Sequence, residues 1–249
     1  MKLPLDHPAW GALFGPYGVQ DVPGVLRALS AEWHTDLARD LFWEKLHHQE
    51  TLYPVTWAAL PWLLEMPARR EVLEFASWVL YCAGYALHAG DGMALVLAEA
   101  CCGGNSAPAD TLRTQYGAEM AALADWARKT APLIAEDCIT EAQTHENCGY
   151  LLVGPAALAK ASELAIALQG APLYETEVIC LDCGQAHYGF PGADGYTFEA
   201  IPEDTPTGPA AQADQQRAFA RTLADRLDGQ PSIAAYLRRW AGFSCCAKA

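Results

Sequence analysis

From about Asp21 to Gly170 the apolar positions return at intervals of three and four residues, the spacing of one face of an α-helix. In HTDLARDLFWEKLHH, Asp36, Asp40, Glu44 and His47 share one stripe, while Leu37, Ala38, Leu41, Phe42 and Leu46 fall on the other side. The next segment, YPVTWAALPWLLEM, is apolar nearly all round and reads as a helix buried against several neighbours. Pro54 suits its first position, and Pro61 removes one internal backbone bond. ARREVLEFASWVLYCAG returns to the amphipathic pattern, with Arg70, Glu74, Ser77 and Tyr81 on the polar stripe. GMALVLAEACC then runs into the breaker GGNSAP. Tyr116, Met120, Leu123 and Trp126 mark a further helix, and GPAALAKASELAIALQG predicts another, with Pro155 in its first turn and Gly170 as its stop.

The texture changes after Gly170. YETEVICL and YTFEAI alternate partially and are flanked by glycine turns, which predicts a small β-hairpin or a few short strands. PEDTPTGPAAQA reads as a mobile linker. Two closing helices follow, one with Phe219, Leu223 and Leu227 four residues apart, the other with Ile233, Tyr236, Leu237 and Trp240 on one side. The expected organisation is a helical region over residues 1–170, then a segment over residues 171–249 with hairpin, linker and two helices. Helices that alternate between amphipathic and buried, joined by short connectors, predict an all-α solenoid of stacked hairpins, since one hairpin cannot cover its own apolar face.

HHQETLYPVTWAALPWLLEM is the most informative joint in the helical region. It resembles bacterial HEAT-like repeat proteins, in which a polar helix ends in a His-Gln-Gly-Thr-x-Tyr-Pro-Ala-Thr turn entering an Ala-x-Pro-x-Leu helix. The matching residues are His48, Gln49, Thr51, Tyr53, Pro54, Thr56, Ala59, Pro61 and Leu63, with Glu50 at the usual glycine and Val55 at the usual alanine. The resemblance covers about 20 residues and implies a HEAT-like fold without implying catalysis. His47 and His48, being adjacent, project in different directions and are read as capping a helix C-terminus rather than ligating an ion.

Nine cysteines give the chain its candidate chemistry. Cys180-Leu-Asp-Cys183-Gly184 places two thiolates two residues apart, a knuckle whose sulfurs can converge on one ion, and zinc asks for four such ligands. Cys245 and Cys246 in FSCCAKA are the other dense pair, with 61 residues between Cys183 and Cys245. They reach the knuckle if the last helix folds back. Some HEAT-like relatives carry a second Cys-x-x-Cys at this end, from which this chain departs, and His187 is a substitute fourth ligand. The favoured reading is a structural zinc. Cys82, Cys101, Cys102, Cys138 and Cys148 read as small core residues. A Cys148–His145 nucleophile lacks a third orienting group. No phosphate loop, nucleophile elbow, His-Glu-x-x-His helix or dinucleotide fingerprint is present.

Charge narrows the partners. Thirty acidic against 16 basic residues leave a net −14, which argues against nucleic acid and anionic membranes and leaves a basic protein partner. Neither a signal-peptide core nor a run of the roughly 20 apolar residues needed to span a bilayer is found, so a cytoplasmic chain with reduced thiols is expected. The functional expectation is a non-enzymatic protein-binding scaffold, with an acidic immunity protein that neutralises a basic toxin or nuclease as its narrower form. The alternative is a metal- or thiol-dependent enzyme, or a redox-regulated protein, using Cys180 and Cys183 with His187.

Overall fold

The structure, a computed structural model, describes residues 1–88, 92–97, 107–192, 195–202 and 205–246. Cys101, Cys102 and Gly103 to Ser106 of the expected breaker lie outside them, as do residues 193–194 and 203–204. The chain is mostly helical, with small antiparallel sheets. Two compact units divide it, Met1–Leu133 and Ile134–Ala249. The expected change of texture at Gly170 therefore falls inside the second unit.

The first unit begins with a hairpin, β1 (Phe14–Gly15) and β2 (Gly18–Val19), followed by α1 (Val22–Ala31). Asp21 caps α1 by accepting a bond from the Gly24 N–H at 2.9 Å, and Pro23 fits the first turn, where no donor is missed. α2 (Thr35–Asp40) runs into a π-helical turn over Leu41–Lys45. The expected stripe holds in part: Asp36, Asp40 and Glu44 are exposed, Leu41, Phe42 and Leu46 buried, but His47 is buried too.

That exception has a local cause. The helix stops before the histidines, and His47 and His48 form strand β3, paired with β4 (Thr51–Leu52) across a two-residue turn. Gln49 and Glu50 both take left-handed backbone, φ 45° and 63°, as this tight hairpin demands. Instead of capping a helix, His47 turns inward. Its Nε2 accepts bonds from the Trp78 indole at 2.7 Å and from the Glu50 N–H at 3.1 Å. Thr56 locks the hairpin to the next helix: its hydroxyl accepts from the Tyr53 N–H at 3.1 Å and donates to the Leu46 carbonyl. α3 (Pro54–Leu63) is buried from Pro54 through Pro61, as its all-round apolar sequence predicts.

α4 (Arg69–His88) buries Val72, Phe75, Ala76, Val79 and Leu80. It also buries Ser77, which periodicity had placed on the polar stripe. α5 (Gly92–Val96) and α6 (Ala107–Gln115) follow, then α7 (Gly117–Ala142), inside which the division between the units falls.

The second unit opens with α8 (Gly149–Leu158) and α9 (Ser162–Leu168). Pro155 lies inside α8 rather than in its first turn, and the break comes at Lys160, whose φ is 59°. Strands β5 (Thr176–Ile179), β6 (Ala186–Gly192) and β7 (Gly195–Ala200) form a three-stranded sheet in that order. Of the two arrangements expected, a hairpin or a few short strands, the structure has the second. Register pairs Val178 with His187 and His187 with Ala200, and Gly189 with Phe198. α10 (Ala213–Arg226) and α11 (Pro231–Ala241) then fold back as a hairpin, burying Leu223, Leu227, Ile233, Leu237 and Trp240. The Tyr236 hydroxyl donates to the Ala167 carbonyl at 2.8 Å, tying α11 to α9. Among the described residues no helix is long and apolar enough to cross a membrane.

Candidate metal centre

The knuckle sits in the turn between β5 and β6, and its backbone fixes it without help from the thiols. The Cys180 N–H donates to the Gln185 carbonyl at 2.9 Å, and the Gly184 N–H donates to the Cys180 carbonyl at 2.8 Å. Gly184 has φ +76°, where a side chain is strained, and a Cβ there would run into the Thr207 hydroxyl. The segment expected as a mobile linker is the reason for that crowding. Its Gly208 N–H donates to the Cys183 carbonyl and its Ala210 N–H to the Leu181 carbonyl, each at 2.9 Å. The described part of that segment is pinned along the knuckle.

The Ser244 side chain bonds the Asp182 carboxylate, and Arg217 of α10 pairs with it at 2.8 Å, so the Asp182 pKa is held below its ordinary range. These contacts bring the chain end onto the knuckle. The Sγ atoms of Cys180, Cys183, Cys245 and Cys246 all lie within 4.8 Å of one another. Cys183 and Cys245 are 3.4 Å apart, and Cys245 and Cys246 3.8 Å. A zinc–sulfur bond of about 2.3 Å sets tetrahedral sulfurs about 3.8 Å apart, so the donor set has the size and chemistry that zinc takes.

Burial pushes the Cys180 thiol up, but the N–H groups of Cys245 and Asp182 and the neighbouring thiols bond its sulfur and hold its pKa down at about 7. Burial and the crowded sulfurs push Cys245 up, and the Cys183 contact first, then burial, raises Cys246 to about 11. Four sulfurs this close cannot all carry charge without a cation among them.

Sequence spacing thus brings together both expected pairs. His187 stands outside the four-sulfur group, buried on β6 with its ring edge-on to Phe243 at 4.8 Å. Cys138 and Cys148 are buried, and burial pushes the Cys82 thiol up, followed by the Glu50 charge. His145 pairs with Glu141 at 3.0 Å. Sequence reading missed Arg217, Asp182 and Ser244 as supports, because nothing in their local pattern marks a partner so far along the chain. Comparison with protein-family models, curated proteins and solved structures gave no match.

Proposed function

We propose that the chain is a non-enzymatic protein-binding scaffold whose C-terminal unit is closed by a structural zinc on Cys180, Cys183, Cys245 and Cys246. The observation that carries the metal is the set of four sulfurs within 4.8 Å of one another. A four-thiolate site leaves no open position for substrate, which is the mark of a structural rather than a catalytic zinc. It would fasten the chain end to a small sheet.

The binding role rests on charge and on helix texture. A net −14, with Asp36 and Asp40 exposed on α2 and Glu44 on the π-helical turn after it, suits a basic protein partner by complementary potential. The helices are read as HEAT-like stacked hairpins, supported by the succession of amphipathic α2 and all-round apolar α3 across the Thr-x-Tyr-Pro joint. Among partners of that charge, a basic toxin or nuclease neutralised by this chain fits best, an analogy at the level of fold and charge. Elemental analysis of the purified chain, with thiol counting, tests the metal: one zinc per chain with Cys180 and Cys183 shielded from labelling is expected, and a zinc-free chain with both labelled overturns it. Association with a basic partner should weaken as salt rises, and salt-independent affinity would defeat the charge argument.

A second reading, a thiol-based redox protein, is favoured by the 3.4 Å approach of Cys183 and Cys245. Formation of their disulfide would release two electrons and two protons to an added two-electron oxidant such as hydrogen peroxide. A peroxide-formed Cys183–Cys245 bond in zinc-loaded protein, reversed by dithiothreitol, would favour it over a purely structural site.

A further inference from the structure

The second unit contains a cavity that the metal reading does not use. It has a volume of about 520 Å³ and lies against β7 and the end of α11, with His187, Phe198, Arg238, Arg239, Phe243 and Cys245 in its wall. That volume falls in the range of small-molecule sites, roughly 300–1,000 Å³. Its charge runs against that of the chain. The net is −14, yet the lining holds two arginines and no aspartate or glutamate.

The two arginines are not equivalent. Arg238 is engaged by Asp228 at 3.0 Å and Asp225 at 3.4 Å. Arg239 spends its Nε–H on the Tyr196 carbonyl at 2.7 Å and sets its guanidinium 6.0 Å from the centre of the Phe198 ring. Among the described residues no carboxylate pairs with it. One hydrogen bond and one aromatic face thus orient a guanidinium whose remaining donors are left for an anion. Beside it, Phe198 and Phe243 meet at 4.6 Å and 55°, and the His187 ring stands edge-on to Phe243, so aromatic rings line the cavity next to the guanidinium.

We propose that this cavity binds a small molecule carrying an anionic group on a flat apolar ring, the anion on Arg239 and the ring against Phe198 and Phe243. The sulfur cluster borders this cavity through Cys245, while the anion is placed on Arg239. Arg239 is anchored at Tyr196, and the knuckle joins the sheet at the other end of β7, beside Ala200 and Ile201. A cationic ligand would meet two guanidinium groups and no acidic wall. The inference stands on β7 and α11 and does not require zinc.

The test is ligand-observed and amide-shift NMR on the full chain with three probes of one shape: 2-naphthoate, 2-naphthamide and 2-naphthylmethylamine. Zinc is measured on the same sample. Naphthoate should bind best and should shift the amide signals of Phe198 and Phe243. Arg239→Leu should weaken it about tenfold or more, while Arg221→Leu, at an exposed arginine of α10, leaves it unchanged. Equal binding of the three probes, shifts confined to other residues, or naphthoate affinity indifferent to Arg239→Leu overturns the proposal. A zinc-free sample that still binds naphthoate through Arg239 supports the cavity and counts against the metal alone.

Discussion

Replacing His47 by glutamine should flatten the acid limb of the stability profile. The His47 side chain is buried, and its Nε2 accepts two hydrogen bonds, from Trp78 and Glu50, so the imidazole is held neutral with its proton on Nδ1. Burial first, and then the charge of His48, lowers its pKa from 6.5 to about 4. The unfolded chain binds this proton below pH 6.5, while the folded chain refuses it until about pH 4. Stability from this group is therefore complete above 6.5 and drains away as pH falls through that window. The gap is worth about 3 kcal/mol, at up to about 1.4 kcal/mol per pH unit. Glutamine keeps an acceptor for Trp78 without titrating. Urea unfolding of both chains from pH 7.5 to 4, followed by tryptophan fluorescence, gives a difference that cancels the other acids and bases. Wild type should lose about 3 kcal/mol more than His47→Gln over that range, and parallel profiles would show that the buried imidazole takes up its proton without cost.

Three further outcomes are expected. Glu50→Gly places glycine where φ is 63° and the Glu50 N–H bond to His47 is retained, so it should stabilise the first unit by about 0.5–1 kcal/mol; thermal unfolding that moves down instead would contradict the strain. A zinc chelator should raise hydrogen exchange across β5, β6, β7 and α11 while α3 and α4 keep their protection, and uniform loosening or no change would count against a local metal clamp. Gly184→Ala, forced into φ +76° against Thr207, should cost about 2 kcal/mol or more and lower zinc affinity, as read by competition with a chromogenic chelator; affinity equal to wild type would mean that the knuckle bends at no cost.

How much of this was legible in the sequence depended on the range of the interaction. Periodicity of 3.6 is a local signal, and it located α2, α3, α4, α10 and α11 with their buried faces. It misassigned His47 and Ser77, because burial there is decided by what packs across the gap: Trp78 reaches back 31 residues to His47. The β3–β4 hairpin was hidden for a related reason. Four paired residues and a Gln-Glu turn lack the Asn-Gly signature that usually marks such a turn. Cys180 and Cys183 were visible from spacing, and Cys245 and Cys246 from density alone. Arg239 was not, since its meaning lies in a bond to Tyr196, 43 residues earlier.

The long gap between the two cysteine pairs has a physical explanation in the α10–α11 hairpin. Closing 61 residues of free chain would carry a loop entropy that two thiols alone could hardly offset. In the folded chain that loop is held at intervals. Gly208 and Ala210 are bonded along the knuckle, Arg217 holds Asp182, Tyr236 reaches Ala167, and Arg239 reaches Tyr196, so the described part of the intervening chain is fastened at several points. By the end of α11 only Gly242 to Ser244 separate a packed helix from Cys245. Adjacent Cys245 and Cys246, which look too close in sequence to share an ion, lie past the helix end, where irregular backbone lets both sulfurs face the knuckle. The hairpin does the work of bringing the sulfurs near, and a metal would have only the last, short closure to complete.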